Sequence, residues 1–214
     1  PACSRCSTTA PTDARRWSEW WSGARQGFVV PPVPFRLAQR GAESTWTYHE
    51  LPVTATRLAF VLDLSGSMNR ATTDGRTRLR VAQDELIRLL KAFDEGVSFT
   101  VVVFSDQAEP WSEELKPATR RNVDKAVDWV DSLAGHRLYQ GATNIYDSLR
   151  QALDLPEVEA VYLLSDGAPS VGTLVEPGAI RASIRDVNRY RRVAIHTVGL
   201  GAEGRALLEG LAAD

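Results

Sequence analysis

The chain has 214 residues, of which 43% are hydrophobic and 24% are charged, and this balance is ordinary for a globular protein. That length suffices for one well-buried α/β domain, or for one domain with an appendage. The formal net charge of −2 gives no indication of nucleic acid or an anionic membrane as a partner. No apolar run approaches the roughly 18 residues that a membrane span needs, and the N-terminus shows no signal peptide pattern.

Residues 1–55 are predicted to form a Trp- and Pro-rich N-terminal extension. Tryptophans at helical spacing indicate a short helix, and closely spaced prolines then exclude regular structure: Trp17, Trp20 and Trp21, followed by Pro31, Pro32 and Pro34. Trp46 and Tyr48 alternate with polar residues, which favours a strand. Cys3 and Cys6 lack the second pair that a zinc ribbon needs, and we assign them no role. Because the chain begins at Pro1 and ends directly after a helical pattern, we expect a fragment of a longer protein.

From residue 58 onward, strands and helices are predicted to alternate. The continuous apolar run at 58–62 is typical of a strand buried on both faces and predicts the first core strand. Further core strands are predicted at 97–104, which is rich in Val and Phe, and at 160–164 and 193–198. Apolar residues at helical spacing predict helices at 79–93, 123–133, 145–153, 180–187 and 207–211. One short antiparallel edge strand is also expected, with Trp111 on it. This alternation implies right-handed βαβ units, and hence an α/β fold with a mostly parallel sheet between helices.

Ligands bind such sheets at the carboxyl ends of the strands, and three oxygen-rich loops are predicted near that edge. They are Asp-Leu-Ser-Gly-Ser at 63–67, Gly-Ala-Thr-Asn at 141–144 and Ser-Asp-Gly at 165–167. Together they offer two carboxylates and three hydroxyls as candidate metal ligands: Asp63, Ser65, Ser67, Thr143 and Asp166.

These are hard oxygen ligands, which suit Mg²⁺, Mn²⁺ or Ca²⁺ and not zinc. Two carboxylates are too few for a closed cage made only of protein, so an octahedral ion here keeps waters and an open position. An open position on a dication attracts a carboxylate from outside. The residues therefore predict a metal site whose partner is a protein that offers an Asp or Glu side chain.

The apolar strand with Asp-x-Ser-Gly-Ser, the Gly-x-Thr-Asn loop and Ser-Asp-Gly, in this order, resemble the metal-ion-dependent adhesion site of von Willebrand factor A (vWA) domains. The resemblance covers about residues 56–214 and implies a Rossmann-like three-layer α/β/α sandwich. It also implies that Ser65, Ser67 and Thr143 bind the metal directly. Asp63 and Asp166 would act mainly through water, with Asp166 able to approach the metal in one state. The family commonly has Gly-Gly-Thr, whereas Ala142 replaces the second glycine here.

A finer resemblance is to bacterial proteins that join HEAT-type helical repeats to a C-terminal vWA domain. It rests on the Trp-rich segment, Asn-Ile-Tyr-Asp at 144–147 and Tyr-Leu-Leu-Ser-Asp-Gly-Ala-Pro-Ser at 162–170. We expect a binding module and not an enzyme, because no obvious general base accompanies the site and no nucleophile elbow or phosphate loop is present.

Four alternatives remain open from the sequence. Two alternatives to a binding module are a metal-assisted hydrolase and a purely structural scaffold whose loops serve packing alone. The arginine-rich segment 70–80 is either a solvated loop or a basic rim that steers an acidic partner. His136 either approaches the metal face or is an ordinary loop histidine.

Overall fold

The computed structural model describes Ser22 and residues 46–137 and 141–213. Residues 44–214 form one compact unit. Ser22 is helical. The predicted Trp-face positions, the proline segment and both cysteines lie outside the described residues.

Strands and helices alternate as the apolar pattern predicts. The strands are β1 (Thr47–Tyr48), β2 (Leu51–Pro52), β3 (Arg57–Asp63), β4 (Ser98–Phe104), β5 (Ala108–Pro110), β6 (Lys116–Pro117), β7 (Ala160–Ser165) and β8 (Ala194–Gly199). The α-helices are α1 (Arg78–Ala92), α2 (Arg120–Asp131), α3 (Ile145–Asp154), α4 (Pro177–Arg191) and α5 (Arg205–Ala213). Short 3₁₀ helices occupy Gly66–Asn69 and Ser132–Gly135.

The central sheet has the strand order β5-β4-β3-β7-β8, and its four long strands are parallel. Both β5 and β6 pair with β4 in the antiparallel direction. The expectation of one antiparallel edge strand is therefore incomplete, because Lys116–Pro117 adds a second short strand beside the same neighbour. Trp111 directly follows β5 and donates its backbone N–H to Val101 at 2.7 Å.

Alternating residues of β3 supply two separate cores, which makes the fold a three-layer sandwich. Leu58, Phe60 and Leu62 are buried against α1 and α2 on one face. Ala59 and Val61 are buried against α3, α4 and α5 on the other. This arrangement confirms the predicted α/β/α architecture, because only a strand covered on both faces can be apolar at successive positions.

The antiparallel hairpin of β1 and β2 lies over the first of these cores. The ring of Tyr48 contacts Phe60 and Tyr162 edge-on, with centroid distances of 5.3 Å and 5.7 Å. Residues 46–53 are thus part of the compact unit. Among the described residues, no helix is long and apolar enough to cross a membrane.

The parallel register brings the carboxyl ends of the long strands to one level. Asp63 lies beside Phe104, the last residue of β4, and Ser165 lies beside Gly199, the last residue of β8. The loops that leave β3, β4, β7 and β8 consequently meet at one edge of the sheet, as the general rule for ligand sites in parallel sheets requires.

Candidate metal site

Asp63, the last residue of β3, anchors the first loop of the site from within the core. Its side chain is fully buried. One carboxylate oxygen accepts the backbone N–H of Ser65 at 2.7 Å, and the other accepts the hydroxyl of Ser165 at 2.5 Å. Asp63 therefore fixes the turn that carries the serines and ties the end of β3 to the end of β7.

The two serines of the first loop present their hydroxyls side by side. Ser65 Oγ and Ser67 Oγ are 3.1 Å apart. The backbone N–H of Gly66 donates to the carbonyl of Gly141 at 3.0 Å, so the first loop is fastened directly to the loop that carries Thr143. The short 3₁₀ helix from Gly66 then turns the chain away from the sheet edge.

Asp166 enters the same space from the end of β7. It is 1% exposed, and its Oδ1 accepts the hydroxyl of Ser67 at 2.5 Å. Its Oδ2 accepts a hydrogen bond from Arg78 Nη1, also at 2.5 Å. The loops at 63–67 and 165–167, separated by about a hundred residues of sequence, are therefore in direct side-chain contact.

Thr143 lies between these two loops. It is 6% exposed, its N–H donates to Ser170 Oγ at 3.0 Å, and its carbonyl accepts the N–H of Ser170 at 2.9 Å. A methyl carbon built on Gly167 would lie 3.6 Å from Ser67 Oγ and 3.8 Å from Thr143 Oγ1, so both hydroxyls face the Gly167 backbone. The structure thus brings all three predicted loops together at one edge of the sheet.

The donor set fits a hard divalent cation. An octahedral ion with oxygen ligands at about 2.1 Å requires neighbouring ligands to be about 3 Å apart, and the serine hydroxyls are 3.1 Å apart. Both oxygens of Asp63 already accept protein hydrogen bonds, which suits a role behind the serines and not direct contact with an ion. Among the described residues, no group of three or more His, Cys, Asp or Glu side chains could hold a metal. Hydroxyls would therefore have to complete this site.

Comparison with known proteins identifies the family to which this arrangement belongs. The family model described as von Willebrand factor type A domain matches residues 56–214. The chain belongs to this family. The predicted membership of the vWA family is thereby confirmed, whereas the metal-ion-dependent adhesion site and the bacterial HEAT-repeat context stay predictions.

Relatives and solved structures agree with the vWA assignment. The human inter-alpha-trypsin inhibitor heavy chain H4 is 33% identical over 168 residues, which cover 73% of this chain and 17% of H4. A von Willebrand factor type A structure from Catenulispora acidiphila superposes with a TM-score of 0.59 at 21% identity, covering 72% of this chain and 35% of that one. Proximal thread matrix protein 1 from the mussel byssus, solved with zinc in its MIDAS motif, gives a TM-score of 0.53 at 24% identity, covering 72% and 38%. This chain spans less than a fifth of the length of H4.

Sequence reasoning missed two side chains that contact the site of this vWA domain. The sequence pattern indicates Ser165 only as part of a loop, although its hydroxyl donates to Asp63. It likewise does not distinguish Arg78 from the other arginines of segment 70–80, although Arg78 forms an ion pair with the buried Asp166. The position of Arg78 directly after a threonine that caps α1 is visible in the sequence, but its partner 88 residues away is not.

The remaining arginines of segment 70–80 do not form an open basic rim. Arg70 pairs with Glu203, whereas Arg76 pairs with Asp74 and Asp84. Arg80 pairs with Asp84 and Asp131. Each positive charge faces a carboxylate, so the interpretation as a solvated, paired loop is favoured.

His136 is engaged at the β5 side of the sheet. Its Nε2 lies 3.4 Å from Glu109 Oε1, and its ring packs edge-on against Trp129 with a centroid distance of 5.9 Å. These contacts favour the interpretation of His136 as an ordinary loop histidine.

Proposed function

We propose that residues 56–214 are a metal-dependent protein-interaction module. Ser65, Ser67 and Thr143 hold a divalent cation, Mg²⁺ in preference with Mn²⁺ or Ca²⁺ as substitutes, and Asp63 and Asp166 support it mainly through water. An Asp or Glu side chain of a protein partner completes the coordination of the ion.

The observation that carries this proposal is the convergence of three hydroxyls and two buried carboxylates at one edge of the sheet. Buried carboxylates are costly unless they are paired or coordinate a metal. Asp63 and Asp166 are both at most 1% exposed, and Arg78 supplies one positive charge, which is paired with Asp166. A dication at the hydroxyls would compensate the remaining charge.

A solved structure of similar fold supports a metal at this site. The mussel protein is described with zinc in its MIDAS motif, so a protein of similar fold accommodates a divalent ion. The oxygen-only donor set of this chain favours a harder ion than zinc. Zinc therefore belongs among the ions to be titrated.

The first experiment tests whether the site binds metal. Mn²⁺ is titrated into the purified protein by calorimetry, and thermal unfolding is followed in parallel, for the wild type and for Ser67→Ala. We expect saturable binding that weakens about tenfold or more in the variant, because one direct ligand is lost. Ser132→Ala is the matched control, since its hydroxyl also donates to a protein oxygen but lies at the end of α2. If millimolar Mn²⁺, Mg²⁺ or Zn²⁺ gave neither heat nor a shift in thermal stability, the proposal would fail and the domain would be interpreted as a purely structural scaffold.

The second experiment tests the acidic ligand. A soluble peptide with one central Glu and an otherwise identical peptide with Gln are titrated into the Mn²⁺-loaded protein. We expect binding of the Glu peptide alone, and its loss in excess EDTA or in Thr143→Ala. Equal binding of both peptides, or binding that persists in EDTA, would contradict the proposed use of the metal.

A further inference from the structure

Arg78 occupies a position that the metal site described so far does not explain. It lies in the first turn of α1, and its side chain is 18% exposed. Its Nη1 is 2.5 Å from Oδ2 of Asp166, whose side chain is fully buried. Removing one partner of a buried ion pair is strongly destabilising, because the other charge is left uncompensated.

Two backbone contacts position the first turn of α1, from which the Arg78 side chain extends. Thr77 caps α1 by accepting the N–H of Arg80 at 3.1 Å, and the N–H of Arg78 donates to the carbonyl of Arg70 at 3.0 Å. On the other side, a methyl carbon on Gly201 would lie 3.3 Å from Arg78 Nη1 and 2.4 Å from the Asp166 carbonyl oxygen. The loop after β8 can approach this closely only because residue 201 is a glycine.

The ion pair divides the two oxygens of Asp166 between different neighbours. Oδ2 faces Arg78, whereas Oδ1 faces the hydroxyl of Ser67 on the side of the candidate ligands. Asp166 therefore offers one oxygen toward the ion and keeps the other bound to a cation of the protein itself.

We propose that Arg78 is the built-in counter-ion of the metal site and tunes it toward acidic ligands; this rests on the proposed function. Asp63 and Asp166 together neutralise a dication, and Arg78 then leaves one positive charge in excess. That excess weakens the attraction for the metal and strengthens the attraction of the loaded site for a carboxylate. Arg78 is thus a positioning and specificity-determining residue.

The charge argument predicts opposite effects of Arg78→Gln on two binding steps. Mn²⁺ should bind about three- to tenfold more tightly, because a neighbouring positive charge is removed. Binding of glutarate, used as a carboxylate probe, to the Mn²⁺-loaded protein should weaken by about the same factor. A purely structural role would weaken both steps, so weaker or unchanged Mn²⁺ binding would overturn the proposal. Arg78→Lys keeps the charge and should resemble the wild type in both steps.

Arg76→Gln is the matched control for these titrations. Arg76 belongs to the same segment, but it is about half exposed and pairs with Asp74 and Asp84. We expect this variant to leave the affinities for Mn²⁺ and glutarate unchanged. Equal effects of Arg76→Gln and Arg78→Gln would show that general surface charge is responsible, and the proposal would fail.

A measurement without metal separates this proposal from the proposed function. Urea unfolding in EDTA is compared for Arg78→Gln, Asp166→Asn and the double variant. We expect the two changes to be non-additive by a factor of about five or more in the unfolding equilibrium constant, because the partners are in contact. Additive effects would show that Arg78 is not the counter-ion of Asp166. If the wild type bound no Mn²⁺, the proposed function would fail, while this cycle would still decide whether the ion pair exists.

Discussion

At the scale of single residues, Asp63 is a carboxyl group held where water cannot reach it. Burial raises the pKa of Asp63 to about 6, and the negative charge of Asp166 acts in the same direction. Hydrogen bonds from Ser165 and Ser65 oppose this shift by favouring the ionised form. Asp63 is thus ready to lose its proton near neutral pH, where a nearby cation would favour the carboxylate.

This raised pKa predicts a pH dependence of the metal-free protein. Because the folded pKa lies above the ordinary value of 3.8, the group stabilises the fold below about pH 4, and that contribution is lost as the pH rises through about 6. We expect a loss of up to about 3 kcal/mol between these limits. Urea unfolding in EDTA at pH 4, 5, 6 and 7 measures it.

Asp63→Asn serves as the reference for this measurement, since it removes the titrating group and keeps the size of the side chain. The wild type should lose more stability than the variant as the pH rises. Identical pH profiles would show that Asp63 does not titrate in this range.

Gly141 is a second residue that matters for the candidate site, because there is no room for a side chain at this position. A methyl carbon there would lie 2.4 Å from Ser105 Oγ and 2.8 Å from Ser105 Cβ, so the backbone of the Thr143 loop rests directly on Ser105. We predict that Gly141→Ala destabilises the fold by about 1–3 kcal/mol and weakens Mn²⁺ binding. Adding Ser105→Gly should recover part of both losses, as measured by unfolding and calorimetry.

Gly135→Ala is the matched control, because a methyl carbon at that position has no atom within 4 Å. It should leave stability and Mn²⁺ affinity close to those of the wild type. A Gly141→Ala variant as stable as this control would show that the Thr143 loop adjusts without cost.

At the scale of elements, α1 and α2 begin with the same cap but differ in the role of their first turns. Thr77 accepts the N–H of Arg80 at 3.1 Å, and Thr119 accepts the N–H of Asn122 at 3.4 Å. The first turn of α1 carries Arg78 to Asp166. The start of α1 therefore contributes to helix stability and also positions a side chain at the candidate metal site.

This difference predicts separable effects of two cap substitutions. Thr77→Ala and Thr119→Ala should each destabilise the protein by about 1 kcal/mol, since each removes a side-chain cap. Only Thr77→Ala should also change Mn²⁺ affinity, because it loosens the turn that places Arg78. Denaturant unfolding and calorimetry on both variants test this, and an equal change in Mn²⁺ affinity would contradict it.

At the scale of the whole molecule, an ion bound at the candidate site would join loops from distant parts of the chain. A ligand that binds only the folded state adds about 2.7 kcal/mol when its concentration is 100 times its dissociation constant. For a unit of this size, we predict that saturating Mn²⁺ raises the unfolding temperature by about 5–10 °C relative to EDTA. Differential scanning calorimetry measures the shift. Asp63→Ala should show little of it, whereas Asp74→Asn, a change in the exposed loop nearby, should retain it.

The large-scale fold was predictable because it depends on short-range apolar patterns. Runs such as Leu58–Leu62 indicate a strand covered on both faces, and the fold results from their alternation with helices. The loops at 63–67 and 165–167 were predictable as neighbours because parallel strands end at one edge. The loop at 141–144 follows no strand, and its place was predictable only from the resemblance to the vWA motif. The hydrogen-bond partners of Arg78 and Ser165 could not be predicted. A polar side chain can reach several neighbours, and only the three-dimensional packing selects among them. The second antiparallel strand could not be predicted either, because a two-residue strand that contains Pro117 has no apolar pattern.

The exposed loop between residues 63–67 and α1 has a practical consequence. Residues 69–76 are almost entirely exposed and contain Arg70 and Arg76, yet the loop is closed by a bridge between Ala71 and Thr77. Trypsin cleaves after arginine, so the rate of cutting here reports how often this bridge opens. An ion that fixes Ser65 and Ser67 would slow cleavage after these two arginines and leave cleavage after the exposed Arg120 unchanged. The rate of limited proteolysis, followed on a gel, would thus measure how much of the protein has an ion bound, without any knowledge of the partner.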